Sequence, residues 1–124
     1  MKRLIAATVL TVIVLTTYIS SYFYIDAVCE KTNRMLDSCI EAYKDENDVV
    51  AKTEKLRKYW GKKEKVLSIF INHDDIDKIE IEIESLSAHS KYPKNEMFYE
   101  HSNVISKLLH QIMEDTVPTT HSVL

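Results

Sequence analysis

The residues best suited to chemistry lie together at His73, Asp74, Asp75 and Asp77. An imidazole and three carboxylates within five residues could bind a divalent cation. The run lacks the glycine and the alternate-residue spacing of a calcium loop, and ligands on one helical turn point in different directions. The same residues are typical of a helix start, with Asn72 or Asp74 as the N-cap and an acid three positions later. We therefore expect a capping turn here and no bound metal.

The other histidines suggest no second reactive site. His89, His101, His110 and His121 show no i, i+4 pairing, so a zinc site on one helix face is not supported. No serine, histidine and acid stand at spacings typical of nucleophilic catalysis. A single glycine in 124 residues leaves no phosphate-cradling loop. We expect no enzyme activity and no cofactor.

Two cysteines, Cys29 and Cys39, are the next reactive groups. On one continuous helix they would stand about 15 Å apart along the axis, whereas a disulfide needs Cα atoms within about 7 Å of each other. They can stay reduced and pack as small apolar side chains, or pair with another chain. We favour packing, although a location outside the cytoplasm would permit the second arrangement.

Adjacent segments of the chain carry opposite charges. Residues 52–65 hold seven basic and two acidic side chains, and residues 74–84 hold six acidic and one basic. The basic segment could contact anionic lipid or polymer. We favour a charged hairpin between the two segments, with Tyr59 and Trp60 facing the core.

An uncharged run of 22 residues, 4–25, follows Lys2 and Arg3 and ends at Asp26. At ~1.5 Å per residue, a helix of this length crosses a hydrocarbon core of about 30 Å. A cleaved signal peptide is the alternative, but its apolar region is shorter and ends in small residues rather than aromatic ones. Since basic residues favour the cytoplasmic side, we expect a single-pass cell-membrane anchor with a cytoplasmic N-terminus and an extracytoplasmic domain. That location disfavours nucleic acid as a partner.

Apolar residues spaced alternately by four and three predict helices throughout the rest of the chain. We expect the anchor helix to continue without a break, and turns at residues 45–48, 72–75 and 91–95. Pro118 should end the last helix. The predicted core positions of the four helices are, in order, Ile25, Cys29, Thr32, Leu36, Cys39 and Tyr43; Val49, Thr53, Leu56, Trp60, Lys63, Leu67 and Phe70; Ile76, Ile79, Ile83 and Leu86; and Phe98, His101, Ile105, Leu108 and Ile112.

Two features complicate this reading. Gly61 costs a helix about 1 kcal/mol relative to alanine, which indicates either close approach of another helix or a tolerated weakness. Residues 78–84 alternate perfectly, as a strand would, but no second alternating segment exists to pair with them. If helices two and three form an antiparallel hairpin, two charge pairs result, Lys65 with Glu80 and Lys62 with Glu84.

The run from Trp60 to Asp77 resembles a family of small bacterial membrane-anchored helical proteins, the domain-of-unknown-function family 4363. The shared pattern is W-x-K-x-E-x-x-L-x-x-F-I-x-H-x-x-x-D, which this run matches at Trp60, Lys62, Glu64, Leu67, Phe70, Ile71, His73 and Asp77. The resemblance implies one N-terminal span followed by about 100 helical residues. It implies no activity.

These observations predict an all-α protein in which one N-terminal transmembrane helix continues into an antiparallel bundle of three to four helices. We expect a membrane anchor at residues 1–25, a helical extracytoplasmic domain at 26–115 and a flexible C-terminal tail at 116–124. The predicted function is a non-enzymatic interaction or scaffold module of the cell envelope, which contacts lipid through residues 4–25 and binds a copy of itself or another envelope protein. The alternative is a sensory or ligand-binding bundle acting through a partner. The candidate interaction or structural residues are Cys29, Leu36, Cys39, Trp60, Phe70, His73, Asp74 and Asp77.

Overall fold

Helix α1 spans Lys2–Lys44 without a break. The structure is a computed structural model that describes residues 1–116. The first part of α1 stands free of the rest of the chain, and its most apolar stretch is entirely unburied. From Ile25 onward one face of the same helix is buried. The prediction of a single continuous first helix is therefore confirmed.

Four hydroxyl groups of the free part of α1 are hydrogen-bonded within the helix. Thr8, Thr11 and Thr17 donate to the carbonyl oxygens four residues earlier, at 2.8–2.9 Å. Ser21 donates to the carbonyl oxygen of Tyr18 at 2.8 Å. Because these four groups are satisfied locally, they add little polar character to the surface of this segment.

Three further helices follow, α2 (Val49–Phe70), α3 (His73–His89) and α4 (Glu96–Thr116). The turn before α2 holds Glu46 and Asp48 at positive φ, and the Asp48 side chain makes no capping hydrogen bond. Asn72 caps α3, since its side-chain oxygen accepts from the Asp74 backbone N–H at 3.1 Å. Residues 78–84 are helical, and no strand occurs within residues 1–116.

The four helices form an up-and-down bundle in which α1 packs on α2 and α4, and α3 packs on the same two. Tyr43, at the end of α1, lies against Phe98 at the start of α4. Tyr22, near the middle of α1, lines a cavity with Phe70 at the end of α2 and Asp115 at the end of α4. Helices α2 and α4 thus run antiparallel to α1. We call the end where α2 and α4 finish the base of the bundle.

The predicted core positions are mostly confirmed. Every predicted position of α1 and α3 is buried, as are Trp60 and the other apolar residues of the middle of α2. Val49 is half-buried, and Phe70 is 43% exposed at the base. His101, Lys63 and Leu108 are half-buried. The predicted tail, apart from Thr116 at the end of α4, and the helix end expected at Pro118 lie outside the described residues.

Candidate functional site

A groove runs between α2 and α3 along the segment that carries the family pattern. Its upper part encloses about 220 Å³ and its lower part about 160 Å³, and Glu80 lines both. We call this surface the α2–α3 groove. The other residues of its upper part are Arg57, Lys58, Trp60, Gly61, Ile83 and Glu84. The other residues of its lower part are Glu64, Lys65, Ser68, His73, Ile76 and Asp77.

Opposite charges line the groove from both helices without forming a close ion pair within residues 1–116. Lys65 and Glu80 line the same part of it, as the hairpin register predicted. Glu84 lines the upper part of the groove together with Arg57 and Lys58, whereas Lys62 does not line it. No ion pair between α2 and α3 forms within residues 1–116, and Arg57 pairs instead with Glu54 on its own helix at 2.6 Å. Within the described residues, the predicted register therefore holds for Lys65 and Glu80, but neither predicted charge pair forms.

Glu80 and Glu64 bring two carboxyl groups together at the centre of the groove. Partial burial is the largest influence on Glu80, followed by the negative charge of Glu64 and a hydrogen bond between the two side chains. All three raise the pKa of the Glu80 carboxyl. The groove thus holds two closely spaced carboxyl groups, whose ionised forms a cationic or hydrogen-bond-donating group would stabilise.

Trp60 forms the inner wall of the upper groove. Its side chain is 1% exposed, and its indole Nε1 has no acceptor among the described residues. A buried N–H group without a partner costs about 1–3 kcal/mol. The position was predicted as core, which its burial confirms, but the unsatisfied donor was not foreseeable from residue type.

Gly61 leaves open space beside Trp60. A Cβ atom placed at this position would meet nothing within 4 Å. The interpretation that glycine permits close approach of another helix is therefore wrong, and the missing side chain widens the groove instead.

The polar cluster at the start of α3 is exposed and loosely arranged. His73 Nε2 lies 3.3 Å from Asp77 Oδ2, with 75% and 45% of the two side chains exposed. Asp74 is also exposed and takes part in the α3 cap through its backbone N–H. Within the described part of the chain, no group of three or more histidine, cysteine or acidic side chains is placed to share a metal ion. Here the residues form the predicted capping turn.

Phe70 lies at the base rather than in the core. It lines a cavity of about 300 Å³ with Tyr18, Tyr22 and Ile25 of α1 and Asp115 of α4. The neighbouring Ile69 is 74% exposed. The base therefore presents apolar side chains of α2 next to the part of α1 that was predicted to lie in the membrane.

Cys29 and Cys39 are free thiols with no exposed surface. Burial raises the pKa of Cys29 to about 12, with a smaller contribution from Asp26, and raises that of Cys39 to about 11. Both positions therefore act as small apolar core residues in this fold.

Sequence reasoning missed a polar cluster between α3 and α4. His101 Nδ1 lies 2.5 Å from Glu82 Oε2, and the His101 ring stacks on His89 with centroids 5.2 Å apart. Asn95 Nδ2 is 2.9 Å from His89 Nδ1. The signal available in the sequence was spacing, because His89 and His101 lie equally far along the chain from Asn95, in the turn that joins the two helices.

The fold and the groove define a class, an up-and-down four-helix bundle continuous with a long apolar N-terminal helix. The model of the family described as "Domain of unknown function (DUF4363)" matches residues 19–121. The chain belongs to this family, as the run from Trp60 to Asp77 suggested. No curated protein and no solved structure matches the chain. The family match begins within the apolar part of α1 and covers the whole described bundle.

Proposed function

We propose that this protein is a single-pass membrane protein whose bundle serves as a non-enzymatic interaction module of the cell envelope. The observation that carries the proposal is the division of α1 into two surfaces. Apolar side chains from Leu4 to Ile19 are half or more exposed, whereas positions from Ile25 to Tyr43 form the bundle core. An exposed apolar surface of this length needs a cover, and a bilayer matches its length and its lack of charge.

Charge at the N-terminus supports the orientation. Lys2 and Arg3 precede the apolar stretch, and cytoplasmic flanks are enriched in basic residues. The bundle would then lie outside the cytoplasm. Because no loop separates the span from the bundle, α1 would hold the bundle at a fixed height above the bilayer.

The anchor is tested by charging the middle of the span. Leu10→Asp with Ile13→Asp places two carboxylates where each costs about 2.5–3.5 kcal/mol on insertion. We expect the full chain to remain with membranes after alkaline extraction and the variant to be released, while a Leu10→Phe control stays membrane-bound. Release of the unaltered chain would overturn the anchor.

Orientation is tested with a single added thiol. Ile81→Cys is suitable because Ile81 is 60% exposed on α3, while the native thiols have no exposed surface. A membrane-impermeant thiol reagent should label the variant in intact cells. Labelling only after lysis would place the bundle in the cytoplasm.

The α2–α3 groove is the surface we assign to partner binding. It combines the closely spaced carboxyl groups of Glu64 and Glu80 with open space at Gly61, beside the buried indole of Trp60. A helix or extended segment with a basic or hydrogen-bond-donating side chain would pair with these carboxyl groups. The partner is a second copy of this chain or another envelope protein.

The groove is tested by filling it. A photo-crosslinking residue at Lys58, on the rim, should form a discrete adduct in membranes, identified by mass spectrometry as this chain or another protein. Gly61→Leu should abolish the adduct by occupying the groove, whereas Gly61→Ala, which adds a single methyl group, should retain it. An unchanged adduct with Gly61→Leu, or no adduct at Lys58, would contradict the assignment.

A further inference from the structure

We propose that the turn between α2 and α3 is a second membrane contact, with Ile69 and Phe70 seated in the headgroup region of the same bilayer that α1 crosses. This inference rests on the membrane anchoring proposed above. It concerns a different part of the chain, one that lies about 45 residues beyond the span. The occupant of this apolar corner is bilayer lipid.

Phe70, at the end of α2, lies level with the last turns of the predicted span of α1. Phe70 lines a cavity with Tyr18 and Tyr22. A hydrocarbon core of about 30 Å needs roughly 20 helical residues, so a span that begins at Leu4 must extend to about Phe23. The 15 residues from Leu4 to Tyr18 would cover only about 22 Å. The base of the bundle thus lies level with the last turn or two of the span.

Exposure around the base agrees with this height. Tyr18, Ile19 and Phe23 of α1 are 51–63% exposed, so lipid would surround α1 at the level of Phe70. On α2, Ile69 is 74% and Phe70 43% exposed. Phe70 lines one cavity with Tyr18 and Tyr22, so a bilayer that covers α1 at this level also reaches the end of α2.

The charges near the turn set its depth. Lys62 and Lys65 are exposed on the last two turns of α2, about 6–10 Å above Ile69 along the axis. Lysines at this height can extend to lipid phosphates while the apolar tip lies below them. Asp115 of α4 lines the same cavity as Phe70, and Asp74 lies in the first turn of α3. Since carboxylates do not enter hydrocarbon, the contact is confined to the α2 corner and to the interface.

The test measures the depth of nitroxide labels on three variants of the full chain, each with one added cysteine, in phosphatidylcholine–phosphatidylglycerol vesicles. Leu10→Cys reports on the span, Ile69→Cys on the turn and Ile81→Cys on the exposed face of α3. All three positions are at least 60% exposed, so the label does not require repacking, and the unaltered chain corrects for any label on its buried thiols. The readout is the ratio of collision rates with oxygen, which concentrates in lipid, and with a water-soluble nickel chelate.

The proposal predicts that oxygen collisions exceed nickel collisions at Leu10→Cys, with the reverse at Ile81→Cys. The ratio at Ile69→Cys should fall between the other two and nearer to that of Leu10→Cys. If Leu10→Cys lies in lipid while Ile69→Cys matches Ile81→Cys, the second contact is wrong and the anchor stands. If Leu10→Cys itself is aqueous, both the anchor and the second contact are wrong.

Discussion

Tyr43 and Phe98 stack face to face, with ring centroids 3.9 Å apart and ring planes 8° apart. The pair joins the end of α1 to the start of α4 at the end of the bundle away from the base. The Tyr43 hydroxyl donates to the Tyr92 carbonyl at 2.6 Å and accepts from the Asn95 N–H at 2.6 Å. One side chain thus holds the α3–α4 turn in place through both its ring and its hydroxyl.

Tyr43→Phe should destabilise the bundle while preserving the stack. The substitution leaves the Tyr92 carbonyl and the Asn95 N–H without their partner, a loss of about 1–3 kcal/mol. The free energy of unfolding should fall by that amount in a denaturant titration of the full chain in detergent. Tyr92→Phe is the matched control, because Tyr92 is 62% exposed. Equal stability of the two variants would show that the hydroxyl does not anchor the turn.

Gly61→Ala should stabilise the protein. Gly61 lies on an exposed part of α2, and an added Cβ meets nothing within 4 Å. The gain should approach the helix-propensity difference of about 1 kcal/mol, measured by denaturant titration. A destabilised variant would mean that the groove closes over this position in solution.

The contrast between α3 and Gly61 shows what the sequence could specify. Spacing by four and three identified every buried residue of α3, because burial on a helix depends mainly on which face a residue occupies. The open space at Gly61 depends on how far α2 and α3 separate, which no single helix encodes. The same holds for Phe70, whose position in the helical pattern predicted burial but whose place at the end of α2 leaves it exposed.

The charge distribution of the sequence predicted which two helices form the groove. Opposite charge in adjacent segments indicated that α2 and α3 would face each other, and Lys65 and Glu80 do line the same part of the groove. The close approach of Glu64 to Glu80 was not predicted, because it depends on side-chain conformations rather than on register. The cluster of Glu82, His89 and His101 was missed because its members lie on two helices and only the turn relates them.

Glu80→Gln should stabilise the folded protein at neutral pH. Burial and the neighbouring Glu64 raise the pKa of Glu80 above its ordinary value of 4.5. A raised folded-state pKa gives stability that is fully present below about pH 4.5 and is lost as pH rises through the folded-state value. The variant lacks this loss, so its advantage should be near zero at pH 4 and largest near pH 7.

The measurement is denaturant unfolding of both proteins across pH 4–8. Glu100→Gln provides the control, since Glu100 is exposed on α4 and does not line the groove. An equal gain at every pH for Glu80→Gln would mean that the effect comes from packing rather than from charge.

Cys29 and Cys39 should remain unreactive and unpaired as long as the bundle is folded. Both thiols have no exposed surface, and burial raises their pKa values to about 12 and about 11. Because the thiolate is the reactive form, alkylation at pH 8 should be far slower than at the exposed Ile81→Cys site and should become fast in denaturant.

The same shifts predict that stability is retained below about pH 9 and falls above it, since the unfolded thiols then ionise first. Cys29→Ala should flatten this alkaline decline, and non-reducing gels of membranes should show a monomer. A disulfide-linked dimer lost in Cys29→Ala or Cys39→Ala would mean that α1 separates from the bundle to expose its core face.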